Sequence, residues 1–372
     1  MPRSPWKPPP VRAFLWQGIA IAGVIALGVF LVSNTLENLS RQGVASGFGF
    51  LSSSAGFGIS TSLISYDESS TIGRAFMVGI LNTLLVSVVG ILVATVMGVV
   101  IGVARLSPNW LLARLAGAYV ETLRNIPLLL QIFFWYFAVL RTLPTPRGSY
   151  DIGEIIFLNN RGLYLPWADA GTGFWVCLGL ALVIAVWYRW KGPSLSRQVL
   201  AVFWLAAVLL LLAGVATLDW SMPALKGFNF TGGIVLSPEL VALATALATY
   251  TAAFVAEIVR AGIQSVPKGQ VEAARALGLG NADVMRLVVL PQAMRVIVPP
   301  LTNQYLNLTK NSSLAAAIAY PDLVSVFAGT ALSITGQAVE VIALVMAVYL
   351  TISLSIALAM NFYNRSVALR GT

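Results

Sequence analysis

A helix needs about 20 mostly apolar residues to cross a bilayer, and apolar stretches of that order recur along this chain. They occupy residues 13–33, 75–104, 128–140, 172–187, 198–218, 239–258, 296–320 and 337–363. The pattern predicts an all-α integral membrane protein, a polytopic bundle of about eight spans. The first run follows a proline-rich start carrying Arg3, Lys7 and Arg12. It is long, and no clear small-x-small cleavage site follows it, so it reads as an anchor helix in preference to a removed signal. Residues 34–73 are polar and rich in Ser and Gly, with Glu37, Arg41, Asp67 and Glu68, and belong outside the bilayer. Residues 143–171 and 219–238 read as exposed connections, and 260–295 as the largest polar interruption between the later spans. In the second span Gly98-x-x-x-Gly102 is a small-residue spacing that lets helices approach closely. Asn125 and Pro127 read as cap and first-turn proline of the third span, with a short interfacial helix before them.

Composition sharpens this picture. Hydrophobic residues make up 58% of the 372 and charged residues only 10%, whereas soluble domains carry about 25% charged residues. The 23 lysines and arginines against 14 acids give a net charge of +9. On a membrane protein such an excess reports orientation. With eight spans and both termini in the cytoplasm, the inner segments hold Arg3, Lys7, Arg12, Arg105, Arg114, Arg124, Arg189, Lys191, Arg197, Arg365, Arg370 and the basic residues from Arg260 to Arg295. The outer ones hold the sparser Arg41, Arg74, Arg141, Arg147, Arg161 and Lys226. The absence of histidine excludes His triads, His metal sites and His proton relays. Cys177 has no partner for an internal disulfide and reads as apolar packing.

The inner loop carries the most specific pattern. Gly269-Gln-Val-Glu272-Ala273-Ala274-Arg-Ala-Leu-Gly278 is followed nine residues later by Val288-Val-Leu290-Pro291. It reads as a helix–turn–helix against the membrane. Val271, Ala274, Leu277 and Leu279 share an apolar side, Gly278 ends the first helix, and Asn281 and Asp283 offer caps for the next, which Pro291 ends or kinks. Ala273 and Ala274 leave a bare ridge for another protein. An isolated Glu-Ala-Ala triplet is common and says little, but the longer spacing resembles the EAA signature of ABC importer permeases. Ala256-Glu257-Ile-Val-Arg260-Ala-Gly262, Leu290-Pro291-Gln292-Ala293-x-Arg295, Lys310-Asn-Ser-Ser313-Leu314 and Leu123-Arg124-Asn-Ile-Pro127 are similar to the polar amino acid group of that family. The likeness runs from the second span to the C-terminus, and the departures resemble the larger permeases of general L-amino acid systems.

What the resemblance implies is a MetI-like transmembrane domain with no catalytic site and no cofactor of its own. ATP and magnesium would belong to two copies of a separate ATPase, and the chain has no Gly-x-x-x-x-Gly-Lys-[Ser/Thr] phosphate loop. Glu272, Ala273, Ala274, Gly278, Leu290 and Pro291 would form the coupling element. A second permease, similar or identical with a heterodimer favoured, and a periplasmic amino-acid-binding protein would complete the complex in a bacterial inner membrane. The chain then divides into an anchor and external segment (1–73), a first part of the permease core (74–142), an insertion with two extra spans (143–237) and a second part bearing the loop (238–372).

Polar residues inside the spans are candidates for a substrate path. Asn303, Asn307, Lys310 and Asn311 fall on one helical face, and an intramembrane charge is a functional hypothesis by default. The alternative is interhelical bonding, with Lys310 paired to Glu340 or reaching outward. Asn82 is a further candidate, although hydrogen-bonded packing explains it as well. Glu121 with Arg124 and Glu257 with Arg260 are spaced to bridge on helix surfaces near the inner interface. A stand-alone ion-coupled transporter is the competing function. It wants an acid well inside a span, which Glu340 alone supplies, and it leaves the inner loop unexplained.

Overall fold

The computed structural model describes residues 11–41, 47–191 and 197–367. Arg3, Lys7 and Arg370 lie outside the described residues. The chain begins with α1 (Val11–Arg41), α2 (Ile72–Ala104), α3 (Trp110–Asn125) and α4 (Leu128–Phe133), which continues as a wider π turn to Leu140. Short strands β1 (Tyr150–Ile152), β2 (Ile156–Asn159), β3 (Gly162–Leu165) and β4 (Trp167–Asp169) lead into α5 (Thr172–Lys191) and α6 (Arg197–Ala216). Strands β5 (Asp219–Ser221), β6 (Ala224–Lys226), β7 (Asn229–Thr231) and β8 (Ile234–Leu236) follow. The remainder is helical: α7 (Pro238–Gln264), α8 (Lys268–Ala276), α9 (Asn281–Asp283), α10 (Leu290–Asn311), α11 (Leu332–Thr335) and α12 (Ala338–Val367).

The number of spans is lower than the hydropathy pattern predicts. Among the described residues five helices are long and apolar enough to cross a membrane: Phe14–Thr35, Ile72–Ala104, Pro238–Gln264, Asn281–Ile318 and Ala338–Arg365. A sixth exists if α3 and the run Leu128–Leu140, bent by 106° at the intervening Ile126 and Pro127, count as one broken span. The expectation of about eight fails at α5 and α6, whose apolar parts extend only over Thr172–Ile184 and Val202–Ala216. Both helices have 20 residues, and among the described residues neither apolar stretch reaches the length of a span. Placing both termini on one side needs an even number of spans, which six would keep and five would not.

Two compact units make up the chain. The first comprises Met1–Asn82 and Pro321–Ser355. Its core joins Phe50, Ala55 and Ile72 to Leu323, Phe327, Ala331, Val341 and Val345, with the Phe327 ring 4.6 Å from that of Phe76. Glu340 accepts a hydrogen bond from the Gly47 N–H at 2.7 Å. Buried Asp322 accepts from the Ser325 N–H at 2.8 Å and so caps a short apolar helix, Val324–Thr335, that no span in the sequence pattern anticipates. The apolar side chains of α1, such as Trp16 and Val24, are exposed along its length, as a helix facing lipid requires.

The second unit comprises Thr83–Tyr320 and Ile356–Thr372, and α7 runs through its core. Small side chains along α7 let neighbours come close. A Cβ on Gly98 of α2 would lie 2.5 Å from Val255 Cβ, and one on Gly102 would lie 2.7 Å from the Ala256 carbonyl oxygen. On another side a Cβ on Gly262 would meet Ile297 of α10 at 2.3 Å. The Tyr119 hydroxyl of α3 donates to the Thr249 carbonyl at 2.8 Å. Between α4 and α7 the polar connections are folded and not loose. An antiparallel sheet of order β1-β2-β3-β8 and the pairs β4-β5 and β6-β7 enclose Phe157, Tyr164 and Phe230, with ring centroids under 5 Å apart. Helices α5 and α6 pack together, Gly214 lying against Cys177, whose thiol is free.

Replacing Gly98 by leucine should separate α2 from α7. Overpacking of a tight contact costs about 1–3 kcal/mol. We expect lower yield of folded protein and earlier thermal inactivation in detergent. A Gly98→Leu variant with wild-type thermal stability would contradict the packing described.

Candidate functional site

The loop between α7 and α10 is built from the end of one span to the start of the next. Helix α7 closes at Ser265, whose N–H donates to the Ala261 carbonyl and whose hydroxyl donates to that of Gly262. Pro267 then stands at the N-cap of α8. This helix ends in a full Schellman turn: Gly278 has φ +82°, its N–H donates to the Arg275 carbonyl, and the Leu279 N–H donates to that of Ala274. The Arg275 guanidinium donates to the Asn281 side chain at 3.2 Å across the turn.

Burial divides α8 into two faces. Ala274 is buried with Val266, Val284 and Val289, and Val271 and Leu279 pack on that cluster. Glu272 and Ala273 are exposed, and Leu277 is 84% exposed. The predicted apolar side therefore loses Leu277, which the terminal turn rotates outward, and the predicted ridge loses Ala274, which packs inward. Glu272 makes no ion pair or side-chain hydrogen bond among the described residues. Beyond the turn, Gly280 and neither Asn281 nor Asp283 is the N-cap of α9. The helix continues through a π turn, Val284–Val289, into α10. Leu290 and Pro291 are exposed in its first turn, so Pro291 does not end the helix. A proline has no N–H to give to the preceding turn, and here it sits where the wider π turn hands over to α10.

Above the loop, arginines converge on α7. Glu257 binds both Arg260 and Arg105, the latter from just beyond the end of α2. The expected Glu257–Arg260 pair is present, and Arg105 is a partner that its distance in sequence hides. Glu121 and Arg124 do not pair. The Arg124 guanidinium lies over the Phe254 ring instead, 5.0 Å from its centroid. Asn125 is the last residue of α3, its amide donating back to the Glu121 carbonyl, and Pro127 stands at the N-cap position of α4.

The polar stripe of α10 is split by the fold. Asn307 and Asn311 line a 230 Å³ cavity with Gln304 of the same helix and Tyr250, Thr251 and Phe254 of α7. Asn303 and Lys310 are exposed outside it, and Lys310 has no ion pair among the described residues. Asn82 lies in the other unit, fully buried, with its amide on two backbone carbonyls. Gln304 and Thr251 escaped the sequence reading because only their proximity across two helices marks them. Among the described residues no group of three or more Cys, Asp or Glu side chains could hold a metal ion.

Long apolar helices with a structured helix–turn–helix between two of them define a multi-pass membrane protein. The family described as binding-protein-dependent transport system inner membrane component matches residues 196–370. The chain is 54% identical to YhdX of Escherichia coli strain K12, a permease protein assigned provisionally to amino-acid ABC transport, over 97% of this chain and 95% of that protein. It is 49% identical to the general L-amino acid transport system permease protein AapQ of Rhizobium johnstonii, over 99% and 95%. With the glutamate/glutamine/aspartate/asparagine transport system permease protein BztB of Rhodobacter capsulatus it shares 41% identity, over 96% and 94%. The chain belongs to the amino-acid ABC transporter permease family. It is a multi-pass, non-catalytic transport subunit of an inner membrane, and membership implies cooperating ATPase and substrate-binding components.

Gly278→Ala tests the turn. An L-residue in the left-handed region costs roughly 1–2 kcal/mol, so the variant should be cut faster by protease within 265–290. Unchanged proteolysis would contradict the Schellman geometry.

Proposed function

We propose that this permease moves polar and other L-amino acids across the bacterial inner membrane by alternating access, driven by ATP and magnesium on two copies of a separate ATPase. A periplasmic binding protein delivers the substrate, and a second permease, similar and not identical, completes the pathway. The observation that carries this reading is the two-faced helix α8. Its buried Ala274 fixes it to the ends of the neighbouring spans, and its exposed Glu272, Ala273 and Leu277 are left to enter a groove on the ATPase. Glu272 supplies a polar contact, Ala273 a close fit and Leu277 an apolar knob. Gly278 holds the turn, and Leu290 and Pro291 set the exit into α10. Closure of the ATPase pair then pushes on a stiff element continuous with two spans, which is how a small motion becomes a rearrangement of the bundle.

The substrate path in this reading passes the cavity lined by Gln304, Asn307, Asn311 and Thr251. Amides and a hydroxyl offer both donors and acceptors to a zwitterion. Asn303 and Lys310 line the same path where the second permease faces α10. Glu340, the acid that an ion-coupled transporter needs, is occupied by the Gly47 N–H, which favours the ATP-driven reading.

Gly278→Asp and Leu277→Asp should abolish uptake in cells while the permease stays in the membrane at normal level. A cysteine at Leu277 should form a disulfide cross-link to the ATPase in the assembled complex. Normal uptake in both aspartate variants would overturn the coupling role of α8.

A further inference from the structure

Asn82, at the end of the third turn of α2, is wholly buried and commits its amide to two segments far away in sequence. Nδ2 donates to the Thr61 carbonyl at 2.8 Å and to the Pro321 carbonyl at 2.8 Å. A side-chain amide nitrogen carries two protons, and both are used. Thr61 belongs to the polar segment that follows α1. That segment is fastened at other points by Arg74 to Ser65, by pairing of Ser54 with Thr71, and by the Gly47 N–H on Glu340. Pro321 lies in the break between Ile318, where one span ends, and the helix Val324–Thr335. One turn before Asn82, Gly79 faces the same break, where a Cβ would lie 3.0 Å from Leu323 Cα. The chain enters the break through Ala319, a non-glycine residue at φ +59°, which an L-residue holds only under constraint from its surroundings.

The break is at the far end of its span from α8. Asn281–Ile318 starts at the coupling loop and runs 38 residues, long enough to cross the bilayer. In alternating access the end away from the ATPase must seal when the substrate is released inward and open when it is received. We propose that Asn82 is a positioning residue for transport: it clasps the segment 47–71 to the break at Pro321, and release of that clasp accompanies opening of the face away from α8. The proposal rests on the importer reading above. It explains why an amide, and not an apolar side chain, is buried at this point: each carbonyl it holds comes from a segment outside the long helices, and only a side chain with two donors joins them.

The test uses the complete complex with its ATPase, reconstituted in lipid with and without the binding protein. Asn82→Leu keeps the size and removes both donors. Losing one or two net hydrogen bonds sets the scale, so basal turnover should rise about fivefold and stimulation by the binding protein should shrink to match. Asn82→Gln, which keeps both amide protons on a longer side chain, should recover part of the coupling that Asn82→Leu loses. A merely structural role would move expression without changing the ratio of stimulated to basal turnover. In the unaltered complex, amide exchange across residues 58–66 should rise when nucleotide traps the ATPase closed, which tests the clasp even if the variants fail to assemble. Wild-type ratios of stimulated to basal turnover in both variants, or exchange that ignores the nucleotide state, would overturn the clasp. A wild-type complex whose turnover ignores the binding protein would overturn the importer reading and the clasp together.

Discussion

The close approach of α7 to its neighbours is the constraint on which the second unit depends. In lipid there is little hydrophobic gain from bringing helices together, so association rests on packing and interhelical bonds, and small residues matter most. Gly98 and Gly102 bring α2 against Val255 and Ala256, and Gly262 brings α10 against α7 at Ile297. The same helix receives the Tyr119 hydroxyl and, at its inner end, holds Arg105 through Glu257. A helix so held on several sides has little room to shift without its neighbours. It begins at the strand module and ends at the loop that carries α8, so α8 is joined to the packed core through a single turn at Ser265.

Much of this was legible in the residues. The long spans α2, α7 and α12 announce themselves because hydropathy and length agree. The Glu-Ala-Ala spacing with Gly278 located the loop, and the left-handed glycine stands at the end of α8. The reading failed where one signal was used without its companion. Helices α5 and α6 have the hydropathy of spans, but among the described residues their apolar stretches fall short of one. The strands between 150 and 236 are three or four residues each, too short for an alternating pattern to rise above the prolines and glycines around them. Leu277 looked like part of the inner face at helical spacing, but it falls on the last turn, where the chain is already leaving the helix.

Long-range polar partners were the least accessible. Nothing in the spacing of Arg105 and Glu257 points from one to the other, and Arg124 chose a ring over the nearer Glu121. Asn82 reads equally as a path residue and as packing until its two carbonyl partners are known. The stripe on α10 reads as one helical face in the sequence, yet only Asn307 and Asn311 of its members reach the cavity, because the contribution of α7 decides which part of a face is enclosed.

If this chain converts the work of a separate ATPase into passage of amino acids through its own helices, ATP turnover must answer to the substrate. The most direct measurement is ATP turnover by the complex isolated through this chain and reconstituted in lipid, with binding protein and a panel of amino acids added in turn. An ATPase should copurify, and its turnover should rise only when binding protein and particular amino acids are present together. An isolated chain that brings no ATPase and supports uptake driven by an ion gradient would contradict that conversion.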